Sequence, residues 1–353
     1  MIVTIIGARP QFIKAAVVSK ALHDIGINEK IIHTGQHYNY KMSDIFWEEL
    51  NIPKPTLNLN IGSGQHGKQT AEMIRGIEEF VLLHKEKVKA ILLYGDTNST
   101  LAGAIVASKL PNVKCIHIEA GLRSFNKNMP EEVNRIMTDH VSDLLFCSSE
   151  IGVRQLKKEG ITAPIYNVGD VMYDALTIFS ERTGKGVEDI DVFINGASNF
   201  SLLTLHRPSN TDDLKILQGI ITVLGKLNED FIWLVHPRVK GKLSSLNIPS
   251  NLHITPPASY FQMLDLLDKC NRVYTDSGGM QKEAYWKKKQ CITLRFETEW
   301  VETLKGNWNV LVGNDSERIA EASKQTPISE WIPLYGEGKA STEIANVIND
   351  FLK

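Results

Sequence analysis

The chain has 353 residues, and its 39 basic side chains nearly balance its 41 acidic side chains, for a formal net charge of −2. This near balance of charge argues against a protein that binds nucleic acid or a membrane surface through its overall charge. The 25 glycines, 13 prolines and 42% hydrophobic residues exclude a disordered or collagen-like chain, and the length predicts about two domains.

In the first half of the chain, short apolar runs alternate with amphipathic stretches. The predicted strands are 1–6, 30–33, 88–94, 114–118 and 144–147. The predicted helices run from the break at Gly7–Pro10 to Leu22 and over 98–109, 131–141 and 150–159. Short apolar runs separated by helices are typical of strands buried on both faces, which indicates parallel βαβ units.

A polar, glycine-containing stretch at 184–199 is the candidate linker, and the alternation then restarts. The second half has predicted strands at 200–205, 231–235, 272–275 and 290–293, and predicted helices at 212–227, 260–267, 279–285 and 340–351. This pattern predicts an α/β fold of two doubly wound, Rossmann-like domains, 1–170 and 171–353, with the last helix (about 340–353) packing back on the first domain. Ligands bind at the carboxyl ends of strands in such folds, so we expect an active-site cleft between two facing domains.

The four cysteines lie far apart, and the sequence has no CxxC pair and no cluster of histidines. We therefore expect neither a disulfide framework nor a bound metal ion. The first residues lack the basic segment and cleavage site of a secretory signal, and no apolar stretch approaches the length of a membrane span. These features predict a cytoplasmic protein with no membrane insertion.

The first polar cluster follows the first predicted strand. Residues Gly7–Gln11 enter a helix, and Lys14 lies one turn farther on. A helix N-terminus can receive an anion, and Arg9 would add positive charge. A tight turn with a surface arginine is the alternative interpretation. The sequence has neither a GxGxxG nor a GxxxxGK[ST] motif, so it predicts no dinucleotide fingerprint and no Walker loop.

Carboxylates follow three successive elements of this half. Asp96 comes after the third predicted strand, Glu119 after the fourth, and Glu131 opens the next helix. The spacing of four residues places Glu131 and Arg135 on one helix face. Taken singly, helix capping by Asp96 and a solvated Glu131–Arg135 ion pair are simpler explanations. Taken together, the carboxylates favour proton transfer at two faces of one substrate, provided that burial raises one of their pKa values.

Histidines follow two strands of the second half. His206 comes after the strand at 200–205, and the segment from His236 to Arg238 comes after the next strand. A single histidine in such a position is more often a structural imidazole than a catalytic group.

The segment Asp276–Gly279 is more specific, because it begins a predicted helix with a serine and two glycines. Ser277, Gly278 and Gly279 would leave backbone N–H groups free to hold phosphate oxygens. Glu283, one turn into the helix, would accept hydrogen bonds from ribose hydroxyls. A simple turn or helix cap is the alternative. With carboxylates in one half and a phosphate cradle in the other, the chain fits a nucleotide-sugar enzyme.

The chain resembles the non-hydrolysing UDP-N-acetylglucosamine 2-epimerase family, in order along essentially its whole length, at GARPQFIK, GDTNSTLAG, HIEAGLRS, MPEEVNR, TLHR, HPR and DSGGMQKEA. The resemblance implies two domains of the glycosyltransferase-B type, a homodimer, a UDP-sugar substrate, and neither a metal nor a redox cofactor. It implies elimination of UDP across C1–C2 of the sugar, followed by re-addition with C2 inverted.

The resemblance also implies roles for individual residues. Asp96, Glu119 and Glu131 match the family's acid–base carboxylates, and the assignment of each to one proton transfer stays open. The positions near the diphosphate or sugar are Arg9, Lys14, Arg135 and His206, which would stabilise negative charge on the departing UDP. His206 is also counted with the catalytic residues. The diphosphate and ribose contacts are Ser277, Gly278, Gly279 and Glu283.

The chain departs from the common family pattern at four places. Lys282 replaces an acidic residue after DSGG-x-Gln, Arg238 replaces the Asn-Pro that follows His236-Pro237, and Trp300-Val301 replaces an Arg-Pro pair. The stretch 34–42 is longer than the bacterial pattern that helps bind an activating second substrate molecule, which argues against such a site.

These departures make the chain similar to the branch that epimerises UDP-2,3-diacetamido-2,3-dideoxy-D-glucuronate to its manno form for surface-polysaccharide synthesis. His236, Arg238 and Lys282 are then substrate-binding residues, and the two cations would suit a uronate carboxylate. The alternative is a UDP-N-acetylglucosamine 2-epimerase that gives UDP-N-acetylmannosamine. A glycosyltransferase or a non-catalytic nucleotide-sugar binder would not need the three carboxylates, and a hydrolysing epimerase would differ only in whether water intercepts the intermediate.

Overall fold

The structure, a computed structural model, describes residues 1–35, 52–180 and 199–353. Most of the 34–42 stretch and all but the last residue of the candidate linker lie outside the described residues. The chain divides into two units: unit 1 is Met1–Ala175 with Tyr335–Lys353, and unit 2 is Leu176–Leu334. Compared with the expected division after residue 170, unit 1 is longer and also takes in the C-terminal segment.

Unit 1 contains a parallel sheet with the strand order β3-β2-β1-β4-β5-β6-β7. Its strands are β1 (Ile2–Ile6), β2 (Glu29–His33), β3 (Leu57–Asn58), β4 (Ala90–Tyr94), β5 (Lys114–Ala120), β6 (Leu144–Cys147) and β7 (Ile165–Asn167). The chain builds outward in one direction from β1 to β3 and then in the other from β4 to β7. The junction of β1 and β4 is therefore the topological switch point, outside which α/β sheets bind ligands.

Helices cover this sheet. They are α1 (Arg9–Asp24), α2 (His66–Leu83), α3 (Asn98–Lys109), α4 (Pro130–Val141), α5 (Glu150–Lys158), α6 (Val171–Ser180), which crosses the unit boundary, and the last helix, α13 (Ala340–Phe351). The sequence-based interpretation missed α2, although Met73, Ile77 and Val81 recur every four residues and are all buried in the core. The last helix packs against α1.

Unit 2 repeats the same arrangement, with the strand order β10-β9-β8-β11-β12-β13 and every pairing parallel. Its strands are β8 (Phe200–Leu205), β9 (Asp230–Val235), β10 (Leu252–Thr255), β11 (Arg272–Thr275), β12 (Gln290–Thr293) and β13 (Asn309–Leu311). The switch point of this sheet is the junction of β8 and β11.

The helices of unit 2 are α7 (Pro208–Thr211), α8 (Leu214–Leu224), α9 (Pro237–Lys240), α10 (Tyr260–Lys269), α11 (Gly278–Trp286) and α12 (Ser316–Ala322), with 3₁₀ turns at Leu243–Ser245 and Val301–Asn307. One side of the sheet packs against α8 and α12 around fully buried Phe231 and Trp233.

The predicted α/β class with two doubly wound sheets is confirmed. The strands that the sequence did not predict are β3, β7, β10 and β13, each of two to four residues and each at or next to a sheet edge. In the described ranges, no helix is both long and apolar enough to cross a membrane.

Candidate functional site

Gln11 joins the two turns that meet at the switch point of unit 1. Its side-chain Oε1 accepts hydrogen bonds from the N–H groups of Gly7 and Ala8, at 2.8 and 3.0 Å. Its Nε2 donates to the Tyr94 carbonyl at 2.8 Å, at the end of β4. The side chain is buried, so it holds the β1–α1 turn against the β4–α3 turn.

This arrangement corrects the expected anion site at the first helix N-terminus. The N–H groups of Gly7 and Ala8 already donate to Gln11, and the N–H groups of Gln11 and Phe12 donate to the Ala8 carbonyl. Since Pro10 has no N–H, the turn offers an anion little of the backbone cradle that was predicted. Positive charge at this turn must come from side chains. The side chain of Arg9 is not among those that the structure describes.

Asp96 stands directly after β4, where its side chain is about one-third exposed and forms an ion pair with Arg135 of α4. The guanidinium of Arg135 is buried and also donates to Glu132 at 3.0 Å. Asn134 donates to the Asp96 carbonyl at 3.0 Å, so α4 holds both the backbone and the side chain of Asp96.

Glu119 forms an ion pair with Lys14 of α1, and both side chains are almost fully buried. Glu119 has a φ of 71°, in the left-handed region that non-glycine residues rarely adopt, and the pairing of β5 with β6 shifts register at this point. The bulge turns the Glu119 side chain toward Gly95, where an added Cβ would lie 3.1 Å from its Oε2 and 3.6 Å from Lys14 Nζ.

The charges around Asp96 act on its pKa in opposite directions. Withdrawal from solvent raises the pKa most, the Arg135 guanidinium lowers it, and the nearby Glu119 carboxylate raises it again, with a net increase. Asp96 and Glu119 are therefore close enough to interact, and each carries its own cation. Two carboxylates in unlike surroundings can hold different protonation states, which acid–base chemistry requires.

Glu131 does not pair as the spacing predicted. It is exposed near the start of α4, and the ion pairs that the structure describes for Arg135 go to Asp96 and Glu132. The Glu132 carboxylate is fully buried and also accepts from the backbone N–H groups of Ser124 and Phe125, at 2.9 and 2.8 Å. Arg135 pairs with Glu132 and not with Glu131 because backbone hydrogen bonds already fix the buried Glu132 carboxylate. Sequence spacing alone does not reveal these hydrogen bonds.

In unit 2, Asp276 organises the switch point. This fully buried carboxylate follows β11 and accepts from the N–H groups of His206 and Arg207, at 3.0 and 2.9 Å. Its Oδ1 is 3.1 Å from Nδ1 of His206, and the His206 ring lies 5.6 Å from that of His236. Burial would raise the pKa of Asp276, but the hydrogen bonds from His206, Arg207 and Asn210 lower it overall. Asp276 was absent from the predicted site residues, although it begins the quoted motif.

The turn after Asp276 presents backbone donors. Ser277 caps α11 by accepting from the Met280 N–H, and the N–H groups of Gly278 and Gly279 have no acceptor among the described residues. An added Cβ on Gly279 would meet nothing within 4 Å, so the space in front of this turn is open. Two free N–H groups at the N-terminus of a nine-residue helix are suited to phosphate oxygens.

Lys282 lies one turn below these donors and is only 2% exposed. Its ammonium is 3.7 Å from the ring centroid of Trp300 and 5.5 Å from that of Trp286, a cation–π arrangement. Two departures from the family pattern, Lys282 and Trp300, thus contact each other. Glu283 is buried on the same helix.

Arg295 is a further buried cation that the sequence did not single out. It forms a two-point ion pair with Glu299, at 3.0 and 3.1 Å, and an added Cβ on Gly278 would lie 3.8 Å from its Nη1. Arg238, by contrast, is exposed and donates to Asp212 at 3.0 Å. Lys282 and Arg238, the two cations expected to bind a uronate carboxylate, therefore lie in different surroundings: Lys282 is buried and Arg238 is exposed.

Over the described parts of the chain, no group of three or more His, Cys, Asp or Glu side chains is arranged to hold a metal ion. The four cysteines are buried and unpaired.

The comparisons with known proteins agree with this geometry. A family model described as UDP-N-acetylglucosamine 2-epimerase matches residues 20–349. A UDP-N-acetylglucosamine 2-epimerase homolog of Methanococcus maripaludis is 47% identical over 99% of both chains. The UDP-2,3-diacetamido-2,3-dideoxy-D-glucuronate 2-epimerase of Pseudomonas aeruginosa is 46% identical over 98% of this chain and 99% of its own.

Among solved structures, the UDP-GlcNAc 2-epimerase of Methanocaldococcus jannaschii, in complex with UDP-GlcNAc and UDP, superposes with a TM-score of 0.88. It is 39% identical, and the match covers 99% of each chain. The resemblance that the motifs carry is thus confirmed at full length, in sequence and in fold. With one ion-paired carboxylate after β4, a second at the end of β5 and a serine-glycine turn after β11, the chain belongs to the UDP-N-acetylglucosamine 2-epimerase family.

Proposed function

We propose that the chain is a non-hydrolysing UDP-sugar 2-epimerase, which inverts C2 of a 2-acetamido sugar by eliminating UDP and adding it back. The observation that carries the proposal is the pair of Asp96 and Glu119 at the carboxyl edge of the unit 1 sheet, each with its own buried cation. A site of this kind can exchange protons while stabilising a developing negative charge.

The chemistry explains why elimination is preferred to direct exchange. The C2 proton has no neighbouring carbonyl to acidify it, so its simple removal would leave an unstabilised carbanion. In elimination, the C–H electron pair forms the C1–C2 double bond while the C1–O pair departs with the β-phosphate oxygen of UDP. In the return, that oxygen bonds C1 and C2 takes a proton on its opposite face. The sequence balances without an oxidant or reductant.

We assign the residue roles from the match to the family's motifs, and the charges of the side chains are consistent with them. Asp96, Glu119 and Glu131 are the acid–base carboxylates, with at least two needed because the proton leaves one face of C2 and returns to the other. The groups that stabilise the departing UDP are Arg9, Lys14, Arg135 and His206. Cations held in advance at such a position cost no reorganisation during the reaction.

Unit 2 supplies the nucleotide contacts in this proposal. The free N–H groups of Gly278 and Gly279 take the diphosphate, Ser277 caps the same turn, and Glu283 accepts from the ribose hydroxyls. The support is the open space before Gly279 and the absence of described acceptors for these two N–H groups.

For the substrate we propose UDP-2,3-diacetamido-2,3-dideoxy-D-glucuronate, converted to its manno form for surface polysaccharide such as lipopolysaccharide or capsule. The support is the 46% identity with the Pseudomonas aeruginosa enzyme and the buried cation at Lys282, which replaces an acidic residue of the family pattern. His236 and Arg238 complete the proposed contacts to the sugar.

The second candidate is UDP-N-acetylglucosamine, converted to UDP-N-acetylmannosamine. It is favoured by the Methanocaldococcus jannaschii structure, which holds UDP-GlcNAc and matches this chain over 99% of both lengths.

We further propose a homodimer formed through α4. Val133, Met137 and Val141 recur every four residues on this helix and are 39–45% exposed, so they form an apolar stripe on the surface of unit 1. Such a stripe costs free energy in water, and a second copy of the chain would cover it with the same stripe across a two-fold axis.

The deciding experiment is proton NMR in D₂O with each UDP-sugar in a separate tube. We expect deuterium at C2 and a manno product still attached to UDP, faster with the uronate. The control is Asp96→Asn, which should bind UDP but exchange no deuterium. Binding of both sugars without exchange by the wild type would contradict the epimerase proposal, and exchange only with UDP-N-acetylglucosamine would select the second candidate.

The role of Lys282 is tested by Lys282→Met, which keeps the contact with Trp300 and removes the charge. We expect a higher KM for the uronate sugar and unchanged affinity for free UDP. An unchanged KM would remove Lys282 from the substrate contacts.

A further inference from the structure

His117 lies at the centre of the unit 1 sheet and is fully buried, and neither the predicted site nor the proposed mechanism uses it. Its Nε2 is 2.8 Å from the carbonyl oxygen of Gly95, and its Nδ1 is 2.7 Å from Oδ1 of Asp139 on α4. Gly95 is the residue immediately before Asp96.

Both partners of this imidazole are acceptors. A carbonyl oxygen has no proton to donate, and a carboxylate that also receives a guanidinium has none either. Only a ring with a proton on each nitrogen, an imidazolium, can donate to both oxygens. A neutral ring could donate to only one of the two oxygens and would leave the other lone pair facing its unprotonated nitrogen.

The charged groups around the ring balance. Asp139 is fully buried and accepts from the Arg123 Nη1 at 2.7 Å as well as from His117. Arg123 in turn pairs with Glu159, which directly follows α5, at 2.6 Å, so Arg123 and a doubly protonated ring would face two carboxylates. The side chain of Cys147 on β6, in the field of Asp139, is a thiol whose pKa burial raises, and it adds no charge.

This cluster holds both turns that carry the reactive carboxylates. The Gly95 N–H donates to the Ile118 carbonyl at 3.0 Å while its own carbonyl accepts from His117. The second oxygen of Asp139 accepts from the Gly121 N–H at 3.1 Å, two residues after Glu119. Gly95 has a φ of 64°, so its orientation is one that the surrounding bonds must maintain.

We propose that His117 is a positioning residue for the epimerase reaction: held as an imidazolium between Asp139 and the Gly95 carbonyl, it fixes the turn that places Asp96. The proposal rests on the proposed function for its kinetic consequences. Its structural content, the two protons and the restrained turn, is independent of the activity.

Two substitutions separate the two hydrogen bonds of the ring. His117→Gln places an amide N–H near the Nε2 position and keeps the bond to Gly95, whereas His117→Asn places one near Nδ1 and keeps the bond to Asp139. We expect the Asn variant to lose about 10²-fold in kcat with KM within about twofold, because a small displacement of a catalytic group costs this much. The Gln variant should retain most of the wild-type kcat even though both variants lose similar stability.

The matched control is Cys115→Ala, on the same strand and face, where the thiol contacts Ser142 rather than the turn. It should lower stability without changing kcat. A kcat for the Asn variant equal to or above that of the Gln variant would overturn the positioning role, as would a loss of kcat that follows stability across all three variants.

The protonation state is read directly by ¹⁵N NMR of histidine-labelled protein at about pH 8, where free imidazole is mostly neutral. We expect the signal that His117→Gln removes to show protons on both nitrogens, and a single proton would overturn the imidazolium. The Asp96 amide resonance should move in the Asn variant and stay in place in the Gln variant. If the wild type exchanged no C2 deuterium, the proposed function would fail while these spectra still decided the positioning.

Discussion

Glu119 and its neighbours are held in conformations and charge states that are costly in isolation. The left-handed φ of Glu119 costs of order 1–3 kcal/mol, and the ammonium of Lys14 is buried beside it. The ion pair between them offsets the burial of both charges, while the bulge in β5 aims the carboxylate past Gly95. A residue with only a packing role would need neither the strained backbone nor the buried charge. The geometry at Glu119 therefore favours a catalytic role.

Substitutions of the two adjacent glutamates of α4 should have different effects, one mainly on stability and the other mainly on catalysis. Glu132→Gln should lower the free energy of unfolding by about 3 kcal/mol, because it removes one partner from a buried ion pair. Glu131→Gln should change stability by less than about 0.5 kcal/mol, since the side chain is exposed, yet lower kcat by about 10²-fold or more.

Chemical denaturation and the deuterium-exchange assay would measure both effects. The pair serves as its own control, because the substitution is the same on neighbouring residues. An unchanged kcat in Glu131→Gln would remove that residue from the acid–base set.

Arg135 should tune the pH dependence of the reaction through Asp96. Its guanidinium lowers the Asp96 pKa against the larger effect of burial. Arg135→Gln removes that charge, so the pKa of Asp96 rises further. The limb of the kcat/KM profile that reports Asp96 should then move to higher pH.

The control for this shift is Arg75→Gln, an exposed arginine on α2 that removes the same charge from the surface of unit 1. Its profile should match that of the wild type. A shift to lower pH in Arg135→Gln would contradict the lowering of the Asp96 pKa by the guanidinium.

At the scale of elements, the candidate residues of unit 1 lie at the carboxyl ends of β4 and β5, and those of unit 2 lie in the turns that follow β8 and β11. Two of these positions are held by a side chain from another part of the same unit: Gln11 holds the turn after β4, and Asp276 holds the turn after β8. The strands supply a rigid edge, and these cross-links convert flexible connections into fixed positions.

The turn at Gly95 should be sensitive to a single methyl group. Gly95→Ala should cost about 1–2 kcal/mol through its positive φ and should also push Glu119 Oε2, which would lie 3.1 Å from the new carbon. We expect kcat to fall with it. Gly26→Ala is the control, because Gly26 has a φ of 78° and nothing within 4 Å, so it should lose similar stability at full kcat. Equal kcat values in the two variants would contradict the role of this turn.

Asp276 should make unit 2 sensitive to acid. Its pKa is lowered in the folded state, so its contribution is present above the unfolded pKa of 3.8 and is lost as the pH falls through the folded value. Asp276→Asn should lower the free energy of unfolding at neutral pH by about 3 kcal/mol, since the amide would face donors, and should flatten the acid dependence below pH 3.8.

Calorimetry of the full chain as a function of pH would measure this, with Asp212→Asn as the control at an exposed ion pair worth at most about 1 kcal/mol. An Asp276→Asn protein with wild-type stability at neutral pH would count against the hydrogen-bond scheme.

At the scale of the whole molecule, the alternation of apolar runs was enough to predict two doubly wound sheets, because buried parallel strands leave a strong apolar signal. Short edge strands such as β13 leave little signal, since neighbouring chain rather than composition defines them. The same limit applies to the site. Asp96 and Glu119 could be predicted from their places at strand ends, although β5 extends two residues beyond its predicted end and includes Glu119, but Gln11 and Glu132 act through hydrogen bonds that only the folded chain creates.

The apolar stripe on α4 should decide the oligomeric state. Met137→Glu should convert a dimer to a monomer, because it would bury a charge against its own symmetry mate, while Met137→Leu should leave the dimer intact. Sedimentation equilibrium would measure the mass, and circular dichroism would check the fold. A dimer that persists in Met137→Glu would place the interface elsewhere.

Unit 1 is assembled from both ends of the chain, whereas unit 2 is one continuous stretch. On the ribosome, α1 is therefore made long before the helix that covers it, and Ile344 and Ile348 of that helix are made only after the whole of unit 2. Unit 2 can complete its sheet while the surface of α1 is still uncovered, although domains usually fold in the order of synthesis. The carboxylate-bearing unit of the nascent chain thus lacks one of its helices until all of unit 2 has been made.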